Sequence, residues 1–237
     1  MNVSKEPRKI RAMFGAIAHR YDLLNLTLSL AVDRWWRWVT ARRLRPYLRD
    51  DLPVLDLCTG TGDLALALSR YSQVVGCDFT HGMLMRGVDK VQRRNLSRRV
   101  RFAEGDALRL PFPDSTFAAV SIAFGLRNLE SYPAGLREMQ RVLRPGGALA
   151  VLECSQPSLP VFKQIFLLYF NYILPRVGRL VSGDAAAYAY LPSSVEEFPR
   201  PGELSRVIED CGFQGVRHRR LTGGVACLHL AEKPATG

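Results

Sequence analysis

Long apolar runs are missing from this 237-residue chain, although 47% of it is hydrophobic. The longest greasy stretch, Val161 to Leu174, is interrupted by Lys163, Gln164 and Asn171. It falls short of the roughly 18 apolar residues that a spanning helix needs. Met1 to Arg20 is polar and basic and has no apolar core of a secretory signal. Cysteine is sparse: Cys58, Cys77, Cys154, Cys211 and Cys227 are odd in number, widely spaced and without a C-x-x-C. That pattern excludes a disulfide framework or a cysteine zinc site and points to a reducing compartment. Repeats and low-complexity tracts are absent as well. Negative charge is the scarcer sign, with 22 Asp+Glu against 33 Lys+Arg and a net of +11. The cations are almost all arginine, clustered at 34–45, 93–101 and 217–220. Such a balance calls for an anionic partner: nucleic acid, a membrane surface or a phosphorylated ligand. No zinc-finger or RRM pattern accompanies it, so nucleic acid is not expected.

What is present is an alternation of helical and strand-like segments. Residues 9–47 have helical spacing, with Ile10, Met13, Phe14 and Ile17 on one face. A second helical run, Leu23 to Trp38, puts Leu24, Leu28 and Trp35 on an inner stripe, and Pro46 and Pro53 close the section. Short apolar strands follow at 54–57, 73–77, 100–103, 117–123 and 148–153, separated by helical patterns at 63–71, 81–94 and 133–143. A turn is expected at Pro145-Gly-Gly147. Alternating β and α units predict a parallel sheet covered on both faces. The last two strands, 215–220 and 224–230, lie too close in sequence to be parallel. The expected architecture is α/β, a seven-stranded, mostly parallel, Rossmann-like sheet with a C-terminal antiparallel hairpin. Residues 1–50 form an N-terminal helical lid and substrate region. Residues 51–237 form the main domain, with an apolar insertion at 156–201.

The strongest local motif is Val54-Leu-Asp-Leu-Cys-Thr-Gly-Thr-Gly-Asp63. A strand runs into Gly60-Thr61-Gly62, where glycine permits a tight turn and lets a ligand approach the backbone. The second strand ends at Asp78, where a carboxylate in an open parallel sheet meets ribose hydroxyls. Gly105-Asp106-Ala107 closes the third, a place for an adenine amino group. Each feature alone also reads as a cap or a turn. Gly60 to Ala65 fits G-x-G-x-x-A, so NAD is an alternative; the antiparallel hairpin and Asp56 inside the first strand oppose it.

Four segments together resemble the menaquinone/ubiquinone-biosynthesis C-methyltransferase family: Met13–Arg37, "LDLCTGTGDLA" at 55–65, Gly105–Asn128 ending in "FGLRN", and "RVLRPGG" at 141–147. The glycine-loop arrangement also looks like motif I of class I S-adenosylmethionine (SAM) methyltransferases. Three places depart from the family pattern: Asp33 stands where a His is usual, Ala31 where a Gly is, and Ala123 where a small polar residue often is.

The resemblance implies SAM-dependent C-methylation of a polyprenylated quinol ring, most readily demethylmenaquinol, as the last step of menaquinone biosynthesis. The alternatives are 2-methoxy-6-polyprenyl-1,4-benzoquinol of the ubiquinone pathway, another lipid or phenol acceptor, and a non-enzymatic methyltransferase-like scaffold. It implies SAM as cofactor, held by Asp56, Gly60, Thr61, Gly62, Asp78, Asp106, Ala107 and Ala123, with no metal. Arg127, Asn128, Tyr21, Asp22 and Asp33 are the candidate catalytic residues. Arginine stays protonated, so Arg127 is assigned to charge stabilisation or water positioning. Tyr21, Asp22 and Asn25 are expected to close the pocket, although Asp and Asn are also good helix caps. The apolar residues of the insertion are read as an ordinary buried helix, as a groove for the prenyl tail or as a segment that dips into the bilayer surface. The expected setting is cytoplasmic and bacterial, with peripheral contact at the inner membrane face and homo-oligomerisation left open.

Overall fold

Val54–Leu57 forms β1, and all four of its residues are buried, the mark of a strand covered on both faces. It pairs in parallel with β2 (Val74–Asp78) on one side and with β4 (Phe117–Ala123) on the other. β3 (Val100–Glu104) lies outside β2, and β5 (Leu143–Cys154) lies beyond β4, both parallel. β7 (Ala226–Glu232) then runs antiparallel to β5, and β6 (Gln214–Leu221) forms the edge. The order is β3-β2-β1-β4-β5-β7-β6. The chain leaves β1 in one direction and returns to its other side at β4, so β1 and β4 flank the switch point where ligands of such sheets bind.

The computed structural model describes residues 6–19, 21–29, 31–48, 52–157, 164 and 193–235. The apolar insertion expected at 156–201, with its tail-binding residues, falls almost wholly outside the described residues, as does the side chain of Asn25.

The described α-helices are α1 (Pro7–Ile17), α2 (Tyr21–Leu28), α3 (Val32–Leu44), α4 (Asp63–Leu68), α5 (His81–Arg93), α6 (Tyr132–Val142) and α7 (Pro201–Asp210), with a further helical turn at 193–196. α6 and α7 bury Leu136, Met139 and Ile208 against one face. α3 and α4 bury Trp36, Leu44, Leu64 and Leu68 against the other. Fully burying such a side chain contributes about 1.5–3 kcal/mol.

Two local expectations change. Leu23 to Trp38 is not one helix, because Ala31 takes a left-handed φ of 63° and interrupts the ladder between α2 and α3. The break rotates the inner stripe, so Trp36 is the buried residue and Trp35 faces outward. The turn at Pro145–Gly147 lies inside β5 instead of before it, as an irregularity opposite Phe117–Ala119. A Cβ on Gly147 would sit 2.9 Å from the Ala118 carbonyl oxygen, so only glycine lets the two backbones close.

Candidate active site

β1 delivers its loop into the switch point. Cys58 and Gly60 take left-handed φ values of 51° and 55°, and Gly62, at 82°, leads into α4. A Cβ on Gly62 would fall 2.9 Å from the Phe102 ring, so that ring requires glycine there. Asp78, at the end of β2, is buried and faces this loop. Its two carboxylate oxygens accept from the backbone amides of Gly60 (2.9 Å) and Thr80 (2.8 Å). Burial raises the Asp78 pKa, and the Thr80 and Gly60 amides hold it back. Each oxygen keeps acceptor capacity for a ligand hydroxyl. Beyond β3, Asp106 is exposed and accepts from the Leu108 amide at 2.9 Å, next to buried Ala107.

Asp56 sits within β1, 1% exposed. It accepts from the hydroxyls of Thr59 (2.6 Å) and Ser121 (2.8 Å). Burial pushes its pKa up to about 6, although those hydroxyls and the Arg37 charge pull the other way. Asp56, Arg37, Asp63 and Tyr21 line a small polar cavity of about 310 Å³. A larger cleft of about 840 Å³ adjoins it, sharing Tyr21, Cys58, Gly60 and Ala123, and runs past Asp78 and Asp106 to Phe124, Gly125 and Asn128. The cleft lies outside the carboxyl ends of the parallel strands, where open sheets of this kind bind ligands.

The β4 side is built differently. Phe124 takes a φ of 60° as the strand ends, and Leu126–Asn128 forms one turn of 3₁₀ helix. Gly125 packs against Cys58 with no room for a Cβ, so the ends of β1 and β4 are closed on each other. Arg127 is buried and does not line the large cleft. Its Nη1 donates to Glu153 on β5 (2.6 Å) and to the Phe124 carbonyl (2.9 Å). Its backbone amide donates to the other Glu153 oxygen at 3.2 Å. Burial pulls the Arg127 pKa down; the Glu153 carboxylate outweighs that and raises it. The guanidinium is therefore a permanently charged strut under the turn rather than a free cation at the strand's mouth. Asn128, one residue on, does line the cleft.

The lid reaches the loop from α2. Tyr21 lines both cavities and meets Phe14 edge-on at 6.2 Å. Asp22 accepts from the Thr61 hydroxyl at 2.6 Å and pairs with Lys90 of α5 at 2.7 Å. Lys90 also donates to Thr61 (2.8 Å) and Asp63 (2.7 Å), so one cation ties lid, glycine loop and α4 together. Asp33 is buried and accepts from the Ser29 hydroxyl and from Arg37. Those partners occupy it inside the lid, away from the role of an accessible base.

Of the cofactor residues expected from the sequence, Asp56, Gly60, Thr61, Asp78, Asp106, Ala107 and Ala123 line one or both cavities, and Gly62 lies in the same loop without lining either. Three further positions that the fold brings to the site were not singled out from the sequence. Glu153 carries a signal, a lone carboxylate directly after the apolar run Ala148 to Leu152. Arg37 and Lys90 carry none, because only the folded chain brings them to the loop.

The geometry agrees with the comparisons to known proteins. A sequence model described as the ubiE/COQ5 methyltransferase family matches residues 1–233. A demethylmenaquinone methyltransferase of Deinococcus radiodurans is 47% identical over 227 residues, covering 94% of this chain and 92% of its own. A ubiquinone/menaquinone biosynthesis C-methyltransferase UbiE of Geobacter sp. (strain M21) is 42% identical, covering 98% and 99%. Among solved structures, a SAM dependent methyltransferase from Aquifex aeolicus superposes with a TM-score of 0.56 at 20% identity, covering 81% of this chain and 88% of that one. That likeness shows the class I methyltransferase fold.

Proposed function

The chain belongs to the ubiE/COQ5 methyltransferase family, and from that premise we propose that it transfers a methyl group from SAM to a ring carbon of demethylmenaquinol. The observation that carries the reading is the single cleft joining the Asp78–Asp106 end to the Phe124–Asn128 end. One end suits a nucleoside and the other leaves room for an aromatic ring.

The residues present fit SAM. Asp78 is oriented by two amides for the ribose hydroxyls, and the Asp106-Ala107 turn edges the adenine end. Gly60 brings backbone to the ligand, with Thr61 and Gly62 holding the loop in shape. In the polar cavity, lined by both, Asp56 would hold the ammonium group and Arg37 the carboxylate of the methionine part. Bound there, SAM supplies an electrophilic methyl group on a cationic sulfur.

The protein's share of the chemistry is placement and proton handling. The quinol oxygen must pass its proton to water so that electron density reaches the adjacent ring carbon, and that carbon, once methylated, must give up its own hydrogen to water as a proton to restore the aromatic ring. For the transfer itself that carbon must face the methyl group in line, which is a matter of orientation. Asn128 and Tyr21 both line the cleft and are the groups we assign to the quinol oxygen, as donors that stabilise it as it becomes anionic. Arg127 is assigned to positioning, since it fixes the Phe124 carbonyl and the turn that presents Asn128. Asp22 and Asp33 hold the lid, one against Thr61 and the other against Arg37.

Among the described residues no helix is long and apolar enough to cross a membrane. A lipid acceptor therefore has the enzyme working at a membrane surface, at the inner face. The test is methyl transfer from labelled SAM by the purified chain to three acceptors: demethylmenaquinol, 2-methoxy-6-polyprenyl-1,4-benzoquinol and a simple phenol. Methylation of the first well above the others is expected. Preference for either of the others overturns the acceptor assignment.

A further inference from the structure

All three tryptophans of the chain lie within Arg34-Trp-Trp-Arg-Trp38, and the core uses only one of them. Trp36 is buried, packs 6.0 Å from the Phe124 ring and donates to the Thr222 hydroxyl at 2.9 Å. Trp35 and Trp38 remain 47% and 38% exposed. With Val39 and Arg42 they follow i, i+3, i+4, i+7 spacing, one stripe of α3. The Arg42 guanidinium lies over the Trp38 ring, 5.3 Å from its centre. The stripe borders an open groove of about 1150 Å³ whose other wall is β6, the edge strand of the sheet. Arg217 and Arg219, alternate residues of β6, line that wall. None of the described residues lining the groove is acidic.

Arginines on an edge strand have an ordinary use, since charge there discourages edge-to-edge pairing. That accounts for β6. It does not account for two half-exposed tryptophans on the helix opposite. Tryptophan prefers the boundary between headgroups and acyl chains, and arginine is drawn to anionic headgroups. The face also starts near the active site, because Arg37, on the same helix, lines the polar cavity.

We propose that the α3–β6 face docks the protein on an anionic phospholipid bilayer, with Trp35 and Trp38 at the headgroup boundary and the groove arginines on the phosphates. The choice of a bilayer over another polyanion rests on the proposed lipid acceptor.

Trp36 is buried, so a change in tryptophan emission on binding reports on Trp35 and Trp38 of this face. The test mixes the full chain with vesicles of phosphatidylglycerol and phosphatidylcholine, or of phosphatidylcholine alone, and follows sedimentation and tryptophan emission. Binding with a blue shift is expected on the anionic vesicles only. Each surface cation strengthens such binding roughly fivefold. The R42Q/R43Q/R217Q/R219Q variant, altered only at exposed positions, is therefore expected to bind at least about a hundredfold more weakly. W35A/W38A should lose the blue shift. Both variants should still methylate a short-chain acceptor in solution and lose turnover only on acceptor embedded in vesicles. Equal binding to neutral vesicles, unchanged binding by the arginine variant, or binding of an RNA oligonucleotide in place of vesicles overturns the proposal. So does a dimer that the tryptophan variant dissolves. If no acceptor is methylated while anionic vesicles still bind, the proposed function fails and this face stands.

Discussion

The two sides of the β1–β4 boundary do different work with similar residue types. On the β1–β2 side, carboxylates face backbone amides and hydroxyls: Asp78 takes Gly60 and Thr80, and Asp56 takes Thr59 and Ser121. Neither depends on one salt bridge, and both line cavities. On the β4–β5 side, Arg127 and Glu153 are both buried and pair through Nη1 at 2.6 Å, while the Arg127 Nε has no hydrogen-bond partner among the described residues. The first side keeps hydrogen-bonding capacity for a ligand. The second spends its charge on holding a turn. A charged residue at a strand's mouth is therefore not by itself a ligand contact, and its partner decides.

The contrast breaks hardest at Glu153. E153A leaves the Arg127 charge buried without its partner, and unfolding free energy should fall by about 3–5 kcal/mol in urea titration. An unchanged urea midpoint with reduced turnover would move Arg127 to the ligand-contacting class. D78A is expected to show a larger effect on binding than on folding: stability lower by about 1–3 kcal/mol from the Gly60 and Thr80 amides left unpaired, and SAM affinity reduced roughly a hundredfold by calorimetry from the loss of charged hydrogen bonds to two hydroxyls.

Asp56 gives a pH signature confined to the first side. Its pKa is about 6 in the folded chain, so the carboxylate is ionised above that pH and protonated below it. Protonation removes the charge facing the ammonium group. SAM affinity should thus be flat above about pH 7 and fall as pH drops from 6 toward 5, by up to about tenfold per unit. D56N should bind weakly at every pH and lose the slope. K90M is the mildest change, because its ion pairs with Asp22 and Asp63 are partly exposed. A two- to fivefold rise in KM for SAM, with kcat retained, is expected from a loosened lid.

The strands and most helix positions were legible because each is a short apolar run between glycine, proline or polar breaks. β1 and β4 match their expected bounds, and the loop glycines lie where the motif places them. Alanine itself gives no sign of the left-handed break at Ala31; the glycine that the family pattern usually has there was the one hint, and the missed rotation exchanged Trp35 for Trp36 in the core. The character of Arg127 was also hidden. Its position at the switch point follows from strand order, but its partner lies 26 residues away in sequence on another strand. Pairings such as Lys90 with Asp22 are products of tertiary folding and leave no local pattern.

The central claim is that this cleft methylates a demethylated menaquinol. Mass spectrometry of quinones from a bacterium lacking its own methyltransferase, expressing this chain, tests it most directly. The account predicts menaquinone restored by the wild-type chain and demethylmenaquinone persisting with D78A. Demethylmenaquinone left unchanged by a folded, SAM-binding wild-type chain would contradict it.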